Sequence, residues 1–212
     1  MRFLTLLNGL GLAASTVAQI STGQACPADS VSRFEACVCP YGTEFQYSTT
    51  WAILGVNAKD FSKYTSSFYN LAWIGATNLT RNGIDHGPDK KVGTTRTFNQ
   101  PTSVGTLTFT EKLDSFQTLP DGSYVMRFSL FNVPVEYKTG KGSFGGYWVT
   151  LDAEYAGKGE TVVKWDVYAC LTDTPFNFAK LHIDALNGIL KVLDRAGLVK
   201  GNSTGPYYVQ TF

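Results

Sequence analysis

Hydrophobic and polar residues alternate along most of the chain, which predicts a mainly β protein. The clearest case is Leu107–Phe116, where Leu107, Phe109, Glu111 and Leu113 share one face and polar residues occupy the other. A period of two is typical of a half-buried strand. The same period predicts further strands at Phe45–Ile53, Val92–Phe98, Tyr124–Phe131 and Thr161–Cys170. It predicts extended chain at Val135–Tyr155.

Two parts of the sequence change to helical spacing. After the first strand, Asn57 and Asp60 have the pattern of a helix start, and the apolar residues that follow predict two short helices with a break near Ser66–Ser67. Near the C-terminus, Thr174 is the expected cap of a long helix that ends at Gly197. Its apolar residues predict an inward stripe: Phe178, Leu181, Ala185, Ile189 and Val192.

The first 18 residues have the pattern of a secretory signal peptide. An apolar run from Phe3 to Ala14 follows a positive residue, and small residues precede an expected cleavage after Ala18. The run is too short to span a bilayer. We expect residues 19–43 to form a disulfide-held extension, 44–198 the folded domain and 199–212 an extended tail. The expected location is outside the cell or in the secretory lumen.

Composition narrows the possible partners. The net charge is +1, and the basic residues are scattered, so we expect no nucleic-acid partner. No later segment is long and apolar enough to predict a membrane span, and we expect a monomer or a weak dimer. Two sequons, at Asn78 and Asn202, predict surface glycosylation.

The chain contains four cysteines, which in a secreted protein predict two disulfides. Cys37 and Cys39 stand two residues apart and would be strained if joined directly. We therefore expect one of them to pair with Cys26 and the other with Cys170, and the sequence leaves open which. No histidine stands at ligand spacing from these cysteines, so we predict no metal site.

One charge interrupts the apolar face of each of two neighbouring predicted strands. Glu111 lies on the face described above, and Arg96 shares a face with Val92, Thr94 and Phe98. A lone buried charge costs several kcal/mol unless it meets a partner, water or a ligand. Two interpretations remain open. The pair is an internal salt bridge that holds the strands in register, or it faces a cavity, where Glu111 accepts a proton or both groups orient a ligand.

Familiar catalytic signatures are absent from the sequence. It has no G-x-S-x-G, H-E-x-x-H, phosphate-loop or dinucleotide pattern, and we predict no cofactor. The chain has two histidines, of which His86 is expected in an exposed loop. Candidates for cavity-lining residues, each also explained by ordinary core packing, are Phe109, Tyr124, Phe128, Tyr147, Trp165 and His182.

The segments V-G-T-T-R (92–96) and T-E-K-L-D (110–114), joined by a hairpin, resemble the helix-grip superfamily. This superfamily holds START domains, birch-pollen-allergen proteins, plant abscisic-acid receptors and polyketide cyclase/dehydrase-like proteins, the last being the most similar. The resemblance covers Phe45 to Ala196. It implies an α+β fold in which a curved seven-stranded antiparallel sheet surrounds a long C-terminal helix, with two short helices after strand 1.

The resemblance also implies roles for particular residues. Glu111 matches the pocket-facing glutamate of the abscisic-acid receptors, and Arg96 matches the arginine of V-G-x-x-R. The first and last strands of such a sheet are antiparallel neighbours. Cys170 would then lie near the start of the first strand, within reach of Cys37 or Cys39.

Two functions are consistent with these features. The first is a secreted protein that binds a hydrophobic small molecule, such as a polyketide, terpenoid or lipid, in an internal cavity. The alternative is an enzyme of secondary metabolism, a cyclase or dehydratase of the lyase or isomerase type. In that mechanism Glu111 moves a proton while Arg96 or a tyrosine steadies negative charge.

Overall fold

The computed structural model describes residues 39–74, 86–173 and 176–211. The predicted signal peptide, most of the extension with Cys26 and Cys37, the sequon at Asn78 and the expected cap Thr174 lie outside these residues. The described helices are α1 (Ala58–Thr65) and α2 (Phe178–Arg195), with a 3-10 turn at Ala72–Ile74. The strands are β1 (Glu44–Leu54), β2 (Thr95–Thr102), β3 (Gly105–Thr118), β4 (Tyr124–Leu130), β5 (Val135–Glu136), β6 (Ser143–Gly157), β7 (Glu160–Leu171) and β8 (Thr204–Gln210).

All of these strands belong to one antiparallel sheet in the order β2-β3-β4-β6-β7-β1-β8, with β5 paired to β6. The predicted sheet and C-terminal helix are therefore confirmed. β8 adds a strand beyond the seven that the resemblance implied, because the extended tail pairs with the outer edge of β1.

The first predicted helix forms as expected. Asn57 caps α1, since its side-chain oxygen accepts a hydrogen bond from the Asp60 backbone N–H at 2.9 Å. The second predicted helix is a single 3-10 turn. The Asn70 side chain donates to the carbonyl of Tyr64 and accepts from the N–H of Ala72, so the chain turns sharply there.

The long helix α2 covers one side of the sheet. It begins at Phe178 rather than directly after Thr174, because the Asn177 side chain accepts from the N–H of Lys180 at 2.8 Å and serves as the cap. The predicted stripe is wrong at Val192, which is 44% exposed. The residues that α2 buries in the core include Ala185, Leu186, Ile189 and Leu193.

The two faces of β1 differ from those of a simple core strand. Its aromatic residues Tyr47 and Trp51 lie on the outer face, where they pack against Tyr168 of β7 and Tyr207 of β8. The other face carries Gln46, Ser48 and Thr50, and Thr50 contacts His182 of α2. α2 therefore packs partly against polar side chains.

A disulfide joins Cys39 to Cys170, with Cα atoms 5.4 Å apart. Cys170 stands opposite Phe45 in the β1–β7 register, which brings it to the start of β1 as expected. The structure thus selects Cys39 for this bridge. The two cysteines are 131 residues apart in sequence. Closing so long a loop in the unfolded chain stabilises the fold by about 5 kcal/mol in the chain-entropy model. The pairing of Cys26 with Cys37 stays a prediction.

Candidate functional site

A narrow cavity lies between the inner face of the sheet and the start of α2. Its volume is about 80 Å³. Most of its lining is apolar or aromatic, and the polar groups come from β2, β3, β6, β7 and α2. The lining residues are Leu71, Ile74, Arg96, Phe98, Gln100, Phe109, Glu111, Phe128, Phe144, Tyr147, Val149, Trp165, Val167, Phe176, Phe178, Leu181 and His182.

Arg96 and Glu111 form a buried ion pair in the cavity wall. They are direct partners in the β2–β3 register, and the alternation of each strand turns both inward. Arg96 Nε donates to Glu111 Oε2 at 2.5 Å, and the two side chains are only 6% and 5% exposed. The pair therefore forms the internal salt bridge and also lines the cavity. A role in proton transfer or ligand orientation stays a prediction.

Two further hydrogen bonds join this pair to its surroundings. Tyr147 on β6 donates its hydroxyl to Glu111 Oε1 at 2.7 Å, and Arg96 Nη1 donates to the backbone carbonyl of Phe68. Burial, and then the nearby negative charge of Glu111, raise the pKa of Tyr147 well above its ordinary value, so its hydroxyl stays protonated and donates. We call Arg96, Glu111 and Tyr147 the polar cluster.

Aromatic rings enclose the guanidinium of Arg96. Its central carbon lies 4.3 Å from the ring centre of Phe68 and 4.8 Å from that of Phe128. Such contacts stabilise a desolvated cation by about 2 kcal/mol. The polar cluster is thus fixed by ion pairing, hydrogen bonding and ring packing at once.

A second group of polar atoms comes from α2, β7 and β1. His182 Nδ1 lies 3.2 Å from Thr50 Oγ1, and the imidazole stacks on the indole of Trp165 with ring centres 4.0 Å apart and planes 11° from parallel. Burial lowers the pKa of His182 to about 3, so the ring is neutral at physiological pH. Trp73, in the 3-10 turn, packs on Trp165, with the two ring centres 5.1 Å apart.

A family model described as a START domain matches residues 45–211. This chain belongs to the START-domain family. The match covers most of the chain and includes β8, and it agrees with the helix-grip resemblance found in the sequence. START-like domains bind hydrophobic ligands, and the apolar cavity fits that property.

Solved structures support the same fold for this START domain. Norcoclaurine synthase from Thalictrum flavum, in complex with dopamine and hydroxybenzaldehyde, is similar at a TM-score of 0.53 and 14% identity, over 73% of this chain and 89% of that one. Major latex-like protein 151 from Panax ginseng reaches 0.50 at 12% identity, over 74% and 99%. At these identities the likeness shows the fold alone. No curated protein matches the sequence.

The cavity brings together seven of the eight residues that the sequence singled out as catalytic or ligand-binding: Arg96, Glu111, Phe109, Phe128, Tyr147, Trp165 and His182. Tyr124 lies elsewhere. Its hydroxyl donates to Thr65 Oγ1 at 2.9 Å, and its ring stacks on that of Phe116 with ring centres 6.1 Å apart. Tyr124 therefore joins β4 to α1 instead of lining the cavity.

Sequence reasoning missed several lining residues of this START domain. Phe98, Val149 and Val167 follow the inward alternation of their strands, so the period-two pattern was a sufficient signal for them. Leu71 and Phe176 lie outside helices and strands, and Ile74 ends the 3-10 turn, so no strand or α-helix period predicts where these side chains point. These three side chains are half-buried and form the solvent-facing rim of the cavity.

The described residues contain neither a metal-binding group of side chains nor a membrane-spanning helix. In residues 39–74, 86–173 and 176–211, no three His, Cys, Asp or Glu side chains are grouped so as to hold a metal ion. Among the helices that the structure describes, none is both long and apolar enough to cross a bilayer.

Proposed function

We propose that this START domain is a secreted protein that encloses a small hydrophobic molecule in the cavity between sheet and helix. The observation that carries the proposal is an apolar, aromatic-lined cavity whose charged residues, Arg96 and Glu111, are already paired. Binding in such a site gains free energy mainly from apolar burial, at about 25 cal/mol per Å².

The size of the cavity limits what fits without movement. About 80 Å³ holds a few water-sized groups, whereas pockets for drug-sized ligands measure about 300 to 1,000 Å³. A polyketide, terpenoid or lipid-like guest therefore needs the rim to move outward. Leu71, Ile74 and Phe176 lie outside the strands and α2, so their displacement leaves the sheet ladder intact.

Three features support secretion. The sequence begins with a signal-peptide pattern, and the Cys39–Cys170 disulfide is compatible with an oxidising compartment. The sequon residue Asn202 is exposed, as a glycan would require.

The polar cluster favours a second candidate, a cofactor-independent cyclase or dehydratase. Tyr147 and Glu111 are hydrogen-bonded at the cavity wall, so a substrate carbonyl placed there would meet a protonated hydroxyl beside a carboxylate. The tyrosine hydroxyl would turn its one proton from Glu111 to the substrate oxygen and stabilise developing negative charge, which would free the carboxylate to accept a proton from the substrate.

Native mass spectrometry of the purified protein, incubated with an organic extract of its host, tests the binding proposal. We expect one apolar molecule per chain. Val149→Phe, which places a ring in the cavity, should abolish the complex at a stability cost of about 1 to 3 kcal/mol. A folded wild-type protein that retains nothing from repeated extracts would refute the proposal.

Tyr147→Phe separates the carrier from the enzyme, because it removes one hydroxyl and leaves the ion pair in place. Retained binding with lost product formation supports the enzyme, and unchanged conversion of the bound molecule rules out this role for Tyr147. Tyr124→Phe is the matched control, since Tyr124 is also a buried tyrosine with one side-chain hydrogen bond but lies outside the cavity.

A further inference from the structure

An unpaired hydrogen-bond donor lies on a cavity-lining residue outside the polar cluster. Trp165, on the inner face of β7, is 3% exposed, and its indole Nε1 makes no hydrogen bond within the described residues. An indole N–H can only donate. A buried donor without an acceptor is destabilising, so such a group in a native protein needs an explanation.

The neighbouring ring, His182, uses one of its two nitrogens in a hydrogen bond. His182 uses Nδ1 towards Thr50, while its Nε2 has no partner among the residues that the structure describes. The two rings are stacked, and both line the cavity. Two neutral rings of the cavity lining thus each carry a nitrogen without a hydrogen bond to any described residue.

The polar cluster offers a contrasting environment. The Arg96 guanidinium donates to Glu111 and to the carbonyl of Phe68, and Glu111 also accepts from Tyr147. The charge of Arg96 is thus already paired with Glu111, so a ligand acceptor there would compete with an existing charge-assisted bond. Among the described lining residues, Arg96 is the one basic side chain with a fixed charge, and it is already paired with Glu111.

We propose that the Trp165 indole N–H donates a hydrogen bond to the acceptor oxygen of an uncharged, otherwise apolar ligand such as a ketone or an ester. This inference rests on the binding function proposed above. It moves recognition of the polar group from Arg96 and Glu111, where the sequence pointed, to the stacked pair of Trp165 and His182. It also predicts that carboxylic acids bind poorly, because a carboxylate buried beside neutral rings is not compensated.

Three probes of similar size test the ligand class: acetophenone, which carries one ketone oxygen, ethylbenzene, which lacks it, and benzoate, which is charged. Titration calorimetry or ligand-observed NMR gives the ratio of acetophenone to ethylbenzene affinity. Trp165→Phe keeps a ring in the stack and removes the N–H, and we expect that ratio to fall about 3- to 10-fold. Trp73→Phe, which alters the same stack outside the cavity lining, should leave the ratio unchanged.

A measurement on the wild-type protein covers the case in which Trp165→Phe does not fold. The chain has four tryptophans, so its ¹H–¹⁵N spectrum contains four indole signals. Phe substitutions at Trp51, Trp73 and Trp148 identify the signal of Trp165 by elimination. We expect acetophenone to move that signal downfield and ethylbenzene to move it much less.

The outcomes separate the two proposals. If ethylbenzene and acetophenone bind but the Trp165 signal and the affinity ratio do not distinguish them, this inference is wrong and the binding function stands. Benzoate binding more tightly than acetophenone would likewise overturn the inference. If none of the probes binds the folded wild-type protein, both proposals fail.

Discussion

The buried Arg96–Glu111 pair allows the sharpest test of how this fold is held together. Its side chains are 6% and 5% exposed and meet at 2.5 Å. Removing one partner of such a pair leaves an uncompensated charge and costs about 3 to 5 kcal/mol. We expect Glu111→Gln near the lower end, because an amide still accepts from Tyr147. Arg96→Met should lie near the upper end, since it leaves the carboxylate with one neutral donor.

Removing both charges should cost less than removing either one. In Arg96→Met/Glu111→Met no charge is stranded, and two apolar side chains fill the space between Phe68 and Phe128. Replacement of a buried pair by packed apolar residues is often neutral or stabilising. We therefore expect the free energy of unfolding of the double variant to exceed the value expected from adding the two single losses by at least about 2 kcal/mol.

Urea unfolding at pH 7, followed by circular dichroism, gives the free energy of unfolding of each variant. The exposed pair Lys180–Asp184 is the matched control, because its atoms are also 2.5 Å apart but its side chains are 70% and 57% exposed. Asp184→Asn should cost no more than about 0.5 kcal/mol. Single losses below about 1 kcal/mol at Arg96 and Glu111, or strictly additive effects in the double variant, would refute the reasoning.

Two further predictions concern pH and the disulfide. Burial lowers the pKa of His182 from 6.5 to about 3, so the unfolded chain takes up the proton first and stability falls as pH drops below 6.5. We expect the free energy of unfolding, measured with urea, to fall by about 2 to 3 kcal/mol by pH 4.5. His182→Gln should reduce this loss, and the exposed His86→Gln should not. The same dependence of stability on pH in all three proteins would contradict the prediction. The double variant Cys39→Ala/Cys170→Ala should lose about 3 to 5 kcal/mol by the same assay, and an unchanged urea midpoint would show that the bridge does not restrain the unfolded chain.

Local pattern was sufficient where neighbouring strands are close in sequence. The β2–β3 hairpin follows from two alternating runs and a short loop, and the same alternation turned Arg96 and Glu111 inward. The pattern did not show whether Arg96 and Glu111 pair with each other or bind a ligand. That depends on Tyr147 and the Phe68 carbonyl, which come from distant parts of the chain and complete the hydrogen bonds.

Non-local pairings account for what the sequence did not predict. β8 forms a strand because it pairs with the free edge of β1. Its sequence, T-G-P-Y-Y-V-Q, has no polar–apolar alternation that would predict this pairing. Tyr124 has the same inward alternation as Phe128, yet it meets α1 at the far end of β4 instead of the cavity. Periodicity gives the face of a strand, whereas the position along that face depends on the tertiary fold.

The hydrogen bond from Arg96 to the Phe68 carbonyl has a consequence for ligand entry. Phe68 precedes the segment that carries Leu71 and Ile74 at the rim, so this hydrogen bond is one of the contacts that tie that segment to the sheet. Outward movement of the rim stretches this bond and its ring contact together. The rate at which a guest is admitted should therefore depend on a charge deep in the sheet, and substitutions there would alter association kinetics even when equilibrium affinity is preserved.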